Sequence, residues 1–209
     1  MIYLTGSMSA PKWAQTLNPH PEIGMLLSPL AWRFPHSAHY ALDNDVFAHS
    51  FIGSRPTPDF WEKRGETAWL KMLDKIPQSK PPMWILLPDV VADWEATIER
   101  AWKYRNEVVS RGFRIAIALQ NGADDKSVFD FSPDAIFVGG TTEWKWANAG
   151  RIARVYGRTG IWTHLARCNG RKRILYSRML GYDSADGTGL CRFTNSTLPK
   201  VLRGLRDNF

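Results

Sequence analysis

Two continuous apolar stretches, IAIALQ at residues 115–120 and AIFVGG at residues 135–140, determine which fold the sequence adopts. Neither stretch alternates between polar and apolar residues, and such runs are typical of strands that are buried on both faces of a parallel sheet. Comparable short runs recur along the chain, at residues 2–5, 25–28, 40–43, 84–89, 161–166 and 180–186. The sequence therefore predicts eight strands.

Helix-like stretches lie between the strand-like runs. Residues 92–111 carry Trp94, Ile98 and Trp102 at helical spacing and stop before Gly112. Further stretches of this kind cover residues 59–75, 143–156, 170–179 and 196–206. Strands that alternate with helices predict an α/β fold, a compact single-domain (β/α)8 TIM-like barrel over residues 1–209. An open, doubly wound sheet with fewer strands is the alternative, because the first two runs are the least marked.

The two cysteines, Cys168 and Cys191, have neither the number expected of a disulfide framework nor the spacing of a zinc site. We interpret them as structural or incidental. The first residues, MIYLTG, lack the features of a signal peptide, and no apolar run approaches the length of a membrane span. The sequence thus predicts a cytoplasmic protein that contacts no membrane and binds no metal.

Basic residues are concentrated in the last part of the chain. The net charge is +7, and residues 151–209 contain 12 Lys and Arg against 3 Asp and Glu. The arginine fork suits phosphate oxygens, and a one-sided positive field attracts polyanions. This pattern favours a nucleic-acid or phosphate partner, and the alternative is a set of solvated arginines on two C-terminal helices.

Polar residues follow most of the predicted strands, at the end where TIM barrels carry their active sites. Each has an ordinary structural explanation as well: Asp89 could cap a helix, and Gly139 with Gly140 could form a turn. Because polar residues follow six of the eight predicted strands, a shared site is the favoured interpretation. The residues at these strand ends are Asp43, Asp89, Gln120, Gly139, Gly140, His164, Arg167, Asp183 and Asp186.

These strand ends carry the motifs LDNDVF (42–47), LPDVV (87–91), ALQNG (118–122), FVGGTTEWK (137–145) and GYDSADGT (181–188). In this order the motifs resemble the tRNA-guanine transglycosylase superfamily. They are most similar to its DNA-acting branch, the 7-deazaguanine DNA transglycosylases (DpdA-type) of phages and bacteria. The resemblance covers residues 40–192 and agrees with the predicted barrel.

The resemblance implies a role for each matching residue. Asp43 corresponds to the acid/base, and Phe47 to the aromatic residue that stacks on the base. Asp186 corresponds to the nucleophile, whereas Asp183 is expected to orient its loop or a neighbouring arginine. The base-reading positions of the family match Asp89, Gln120, Gly139 and Gly140.

The remaining candidates follow from charge and position. His164 either binds the base or is a hydrogen-bonded core residue. A phosphate-binding role is predicted for Arg167, Arg171, Lys172 and Arg173, and the alternative is a helix start with exposed charges. The cysteine-rich zinc site of the tRNA enzymes has no counterpart in this sequence, so we expect neither a metal nor another cofactor.

The predicted activity is the exchange of guanine in DNA for a 7-deazaguanine, such as 7-cyano-7-deazaguanine, through a covalent aspartyl-sugar intermediate. The expected partners are DNA and the free 7-deazaguanine base, and a protein that opens the duplex is a further candidate. The expected location is the cytoplasm of a bacterium or of a phage-infected host cell. The alternatives are an N-glycoside hydrolase of a deazaguanine nucleoside, a tRNA-acting base-exchange enzyme and a catalytically inactive DNA-binding subunit.

Overall fold

Eight parallel strands close into a barrel in the computed structural model of the chain, which describes residues 1–5, 22–37, 39–49, 51–52, 55–56, 60–192 and 194–208. The barrel strands are β1 (Ile2–Thr5), β2 (Ile23–Leu27), β3 (Tyr40–Leu42), β6 (Ile85–Leu86), β7 (Ile115–Leu119), β8 (Ala135–Val138), β9 (Trp162–Leu165) and β10 (Ser184–Asp186). They pair in this order, and β10 pairs with β1. The predicted (β/α)8 barrel is therefore confirmed, and the open sheet is excluded.

Helices follow most of the barrel strands. They are α1 (Val46–His49), α2 (Glu66–Leu73), α3 (Trp94–Val109), α4 (Asp125–Phe131), α5 (Thr142–Tyr156), α6 (Arg171–Met179), α7 (Thr188–Arg192) and α8 (Thr194–Asn208). A two-stranded antiparallel hairpin, β4 (Phe51–Ile52) with β5 (Arg55–Pro56), follows α1. A single π-helical turn (Trp61–Gly65) leads into α2.

The alternation of side chains along β7 explains why its run of apolar residues has no polar member. Ile115, Ile117 and Leu119 belong to the core layer that also contains helix residues, whereas Ala116 and Ala118 belong to the cluster inside the barrel. The small alanines leave room inside the barrel for the large side chains of Tyr3 and Trp84. Both faces of the strand are thus buried.

Helix α4 is an element that the sequence analysis did not predict. Its N-cap is Asp124, whose carboxylate accepts a hydrogen bond from the backbone N–H of Ser127 at 2.8 Å. Val128 and Phe131 lie three residues apart and are buried against the core. The helix is only seven residues long, which is too short for a marked helical pattern in the sequence.

Within the described ranges, we find no helix whose length and apolar character would let it cross a membrane.

Candidate active site

A pocket of about 430 Å³ opens at the carboxyl ends of the barrel strands. Residues within or directly after strands β2, β3 and β6–β10 contribute to its wall. The pocket brings together eight of the residues that the sequence predicts for the site, namely Asp43, Phe47, Asp89, Gln120, Gly139, Gly140, Arg167 and Asp186. It does not include the other four, which are His164, Arg171, Lys172 and Arg173.

Asp186 ends strand β10 and faces the pocket with only 5% of its surface exposed. Its Oδ1 atom lies 3.0 Å from His164 Nε2 and accepts a hydrogen bond of 2.9 Å from the backbone N–H of Arg167. Among the residues that the structure describes, none donates a hydrogen bond to Oδ2. One oxygen of Asp186 is therefore held by the protein, and the other is available to a molecule in the pocket.

Asp43 follows β3 and is partly buried in the pocket wall. Burial raises the pKa of Asp43 to about 8, and the negative charges of Asp45, Asp186 and Asp89 contribute to the rise. The backbone N–H of Asn44, which donates a 2.7 Å hydrogen bond to Asp43 Oδ1, opposes it in part. A carboxyl group of this pKa carries its proton at neutral pH and can give it up, as a general acid/base requires.

Asp89 and Gln120 form a hydrogen-bonded wall at the ends of β6 and β7. Gln120 Nε2 donates to Asp89 Oδ2, and Asn44 Nδ2 donates to Asp89 Oδ1 at 2.9 Å. The side chain of Arg100 donates to the backbone carbonyl of Asp89 at 3.0 Å. Burial raises the pKa of Asp89, although the hydrogen bonds from Asn44 and Gln120 partly offset this effect. The network holds a carboxylate acceptor in place on the pocket wall.

Gly139 and Gly140 follow β8, and a Cβ atom at either position would crowd a neighbouring side chain. A Cβ atom on Gly139 would lie 2.9 Å from Gln120 Nε2, and one on Gly140 would lie 2.6 Å from the ring of Trp144. Gly140 also has a φ of +71°. Its backbone N–H, which the family resemblance assigns to the base, donates to Gln120 Oε1 at 2.9 Å. Gly140 thus positions Gln120 in this structure.

Arg167 lies in the pocket rather than on the outer surface. Its guanidinium carbon is 4.0 Å from the ring centroid of Phe47, and its side chain also donates to the carbonyl of Gly140. The ring of Phe47 is 46% exposed, so the two side chains together cover part of the pocket. Burial lowers the pKa of Arg167, and the carboxylates of Asp186, Asp89 and Asp43 counteract this. The predicted phosphate contact of Arg167 stays a prediction.

His164 is fully buried inside the barrel, behind the pocket wall. Its Nδ1 atom lies 2.9 Å from Ser184 Oγ, and its Nε2 atom contacts Asp186. The ring stacks on Phe137, with centroids 4.8 Å apart. Of the two interpretations of His164, this position fits the hydrogen-bonded core residue and not the base-binding one.

The basic residues Arg171, Lys172 and Arg173 are exposed on the first turn of α6. This turn follows the loop that brings Arg167 and Asn169 to the pocket, so the three charges lie at the same end of the barrel as the site. Their contact with phosphate stays a prediction.

Asp183 lies at the opposite end of the barrel, before β10 begins. Its Oδ2 atom accepts hydrogen bonds of 2.8 Å from both the backbone N–H and the hydroxyl of Thr163, near the start of β9. Asp183 thus joins its own loop to β9 at the end of the barrel away from the pocket, and its expected role toward a neighbouring arginine stays a prediction.

Three residues that the sequence did not predict also support the site. Asn44 holds Asp89, while Ser184 and Trp162 form a hydrogen bond of 2.8 Å next to His164. Asn44 lies within the LDNDVF motif, next to Asp43. Ser184 is two residues before Asp186, and in a strand this spacing places both side chains on one face. This two-residue spacing was the sequence signal that could have identified Ser184 as a neighbour of the site.

Comparison with known proteins supports the TIM-barrel fold alone. No protein-family model matches the sequence, and no curated protein matches it either. The chain is similar in structure to 3-hexulose-6-phosphate synthase from Salmonella typhimurium, with a TM-score of 0.58 at 10% sequence identity over 100% of this chain and 99% of that chain. A cube-shaped designed protein cage matches with a TM-score of 0.47 at 11% identity, over 99% of this chain and 71% of that chain. The first likeness is that of a shared TIM-barrel fold.

Proposed function

We propose that the protein is an enzyme that exchanges guanine in DNA for a 7-deazaguanine base by double displacement. The observation that carries the proposal is a pair of carboxyl groups in one pocket with different environments. Asp186 has one oxygen held and one available, and Asp43 has a pKa raised to about 8. A nucleophile beside a protonated acid is the arrangement that retaining glycosyl transfer requires.

The first step would be an attack of Asp186 Oδ2 on C1′ of the deoxyribose. The C1′–N9 bond breaks, its electron pair goes to the purine, and the purine takes a proton from the carboxyl group of Asp43. Guanine leaves, and the sugar stays attached to Asp186 as an ester. A target base inside a duplex must be flipped out to reach the pocket.

The second step reverses the first with a new base. The ionised Asp43 removes the proton from N9 of the incoming 7-deazaguanine, and N9 attacks C1′. The C1′–O bond to Asp186 breaks, which restores both carboxyl groups to their starting states. Two inversions at C1′ retain the original configuration.

The polar wall supports recognition of a guanine-like base. Asp89 offers carboxylate acceptors that suit the ring N–H and amino donors of such a base, and its buried position makes an unpaired contact costly. The exposed Arg171, Lys172 and Arg173 near the pocket suit the phosphates of a polynucleotide, which favours DNA over a free nucleoside.

The test is incubation with duplex DNA and isotope-labelled guanine or 7-deazaguanine, followed by nucleoside analysis of the DNA. We expect the label to enter DNA with the wild-type protein and not with Asp186→Asn. Asp183→Asn is the matched control, because it changes the other acid of the same segment at the far end of β10. Release of base without incorporation would indicate a hydrolase. In a parallel incubation with tRNA, labelling of tRNA but not of DNA would indicate a tRNA-acting enzyme. DNA binding without either reaction would refute catalysis.

A further inference from the structure

We infer that His164 is a positioning residue for Asp186: it donates its Nε2–H to Asp186 Oδ1 and thereby directs Oδ2 into the pocket. The inference rests on the proposed function, because a nucleophile needs a fixed direction of attack. His164 is 0% exposed and does not line the pocket, so it acts through Asp186 rather than on the substrate.

The register of two neighbouring strands brings the groups together. Ser184 of β10 lies opposite His164 of β9 in the parallel ladder. Because side chains alternate along a strand, Ser184 and Asp186 point to the same face. The imidazole ring spans the gap between them, with Nδ1 at 2.9 Å from Ser184 Oγ and Nε2 at 3.0 Å from Asp186 Oδ1.

The partners of the ring determine where its protons lie. An ionised carboxylate can only accept a hydrogen bond, so the Nε2 atom that faces Asp186 must carry a proton. On the other side, Trp162 Nε1 can only donate, and it lies 2.8 Å from Ser184 Oγ. In a neutral imidazole that carries its proton on Nε2, Nδ1 is an acceptor, so the Ser184 hydroxyl accepts from the indole and donates its own proton to Nδ1. The resulting chain of donors runs from Trp162 through Ser184 and His164 to Asp186.

Packing prevents the ring from adopting another orientation. It stacks on Phe137 at an interplanar angle of 20°, and its centroid lies 5.3 Å from that of Trp84 and 5.7 Å from that of Tyr3. Asp186 Oδ1 thus has two rigid donors, the imidazole and the backbone N–H of Arg167. Loss of the imidazole donor would let the carboxylate turn about the one contact that remains.

The kinetic test compares two substitutions of His164 in the full-length protein. His164→Phe keeps an aromatic ring in the aromatic cluster but removes the donor, and we expect kcat for base exchange to fall about 10- to 100-fold with little change in KM for the free base. His164→Gln offers a side-chain N–H at a similar reach and should recover part of kcat. Wild-type kcat in His164→Phe, or equal losses in both variants, would overturn the inference.

A spectroscopic test separates this inference from the proposed function. The chain has five histidines, and ¹⁵N NMR of the histidine-labelled protein, assigned with His164→Gln, reports which ring nitrogen carries a proton. We expect a protonated Nε2 on His164, whose signal shifts in Asp186→Asn. An unprotonated Nε2 would refute the inference even in an active enzyme. If wild-type protein exchanges no base, the proposed function fails, and the NMR result still decides whether His164 donates to Asp186.

Discussion

Replacement of Asp43 by asparagine should stabilise the protein increasingly as the pH rises. Burial and neighbouring carboxylates raise the pKa of Asp43 from 3.8 to about 8, whereas the unfolded chain has no such environment. Between these two values the native state holds a proton that the unfolded state has lost. The stability that Asp43 contributes below its unfolded-state pKa of 3.8 is therefore lost as the pH rises through its native-state pKa of about 8. Asparagine has no proton to lose.

The size of the effect follows from the rise in pKa. A change of one in the pKa corresponds to about 1.4 kcal/mol of unfolding free energy. The rise from 3.8 to about 8 therefore sets an upper limit of about 6 kcal/mol on the stability that Asp43 loses. Asp43 borders a pocket that admits water, which screens its charge, and we therefore expect about 3 kcal/mol. The amide oxygen of the substituted asparagine can still accept the hydrogen bonds that Asp43 Oδ1 accepts from the backbone of residues 44 and 45, so this support is kept.

Urea unfolding, followed by tryptophan fluorescence at several values between about pH 5 and about pH 9, measures the difference between Asp43→Asn and wild type. The difference in unfolding free energy should grow with pH in favour of the variant. Asp130→Asn is the control, because Asp130 is exposed and pairs with Lys126 on the surface of α4, so this variant should show no such trend. A difference for Asp43→Asn that stays constant over the whole range would refute the electrostatic argument.

Three further predictions concern other parts of the molecule. The first changes the three exposed charges at the start of α6, namely Arg171, Lys172 and Arg173. Their replacement by alanine should reduce the slope of log DNA-binding constant against log salt concentration by about 3. Arg158→Ala, just beyond the end of α5, should leave this slope unchanged. Gly140→Ala should lower the unfolding free energy by about 2 to 4 kcal/mol, because the added Cβ meets the Trp144 ring at 2.6 Å. Gly160 has a similar φ but open space around it, so Gly160→Ala should lower the unfolding free energy by only about 1 kcal/mol. Thermal or urea unfolding measures both. Burial raises the pKa of the Cys168 thiol to about 12, so iodoacetamide should leave this thiol unmodified in the native protein at pH 8 and label it after unfolding. Peptide mass spectrometry measures the labelling. Fast labelling of the native protein would contradict the burial of Cys168.

The sequence predicted the barrel because its strands are continuous apolar runs, and this signal holds wherever both faces of a strand are buried. It was least accurate where a strand is short. The run at 84–89 contains a strand of only two residues, Ile85–Leu86. Leu87 still donates its backbone N–H to Ala116 of β7, whereas Pro88 has no N–H with which to continue the ladder. Helix α4 went unpredicted since seven residues make fewer than two full turns.

Eight of the residues that line the pocket were predictable from the sequence, but their contacts were not. Asp43, Asp89, Gln120 and Asp186 each follow or end a parallel strand, and the carboxyl ends of such strands meet at one end of a barrel. The sequence does not specify the hydrogen bond from Gly140 to Gln120, because this contact depends on distances between neighbouring strands.

The chain's own pattern of apolar runs and strand-end polar residues thus determined the fold and the end of the barrel that holds the pocket. Only the tertiary structure decided where two acids that lie three residues apart are placed. Asp183 precedes β10 and binds Thr163 at one end of the barrel, whereas Asp186 ends β10 and meets His164 and the pocket at the other. The reason is physical: a three-residue strand spans the barrel wall between them, and its start is set by pairing with β9 and β1 rather than by any local signal.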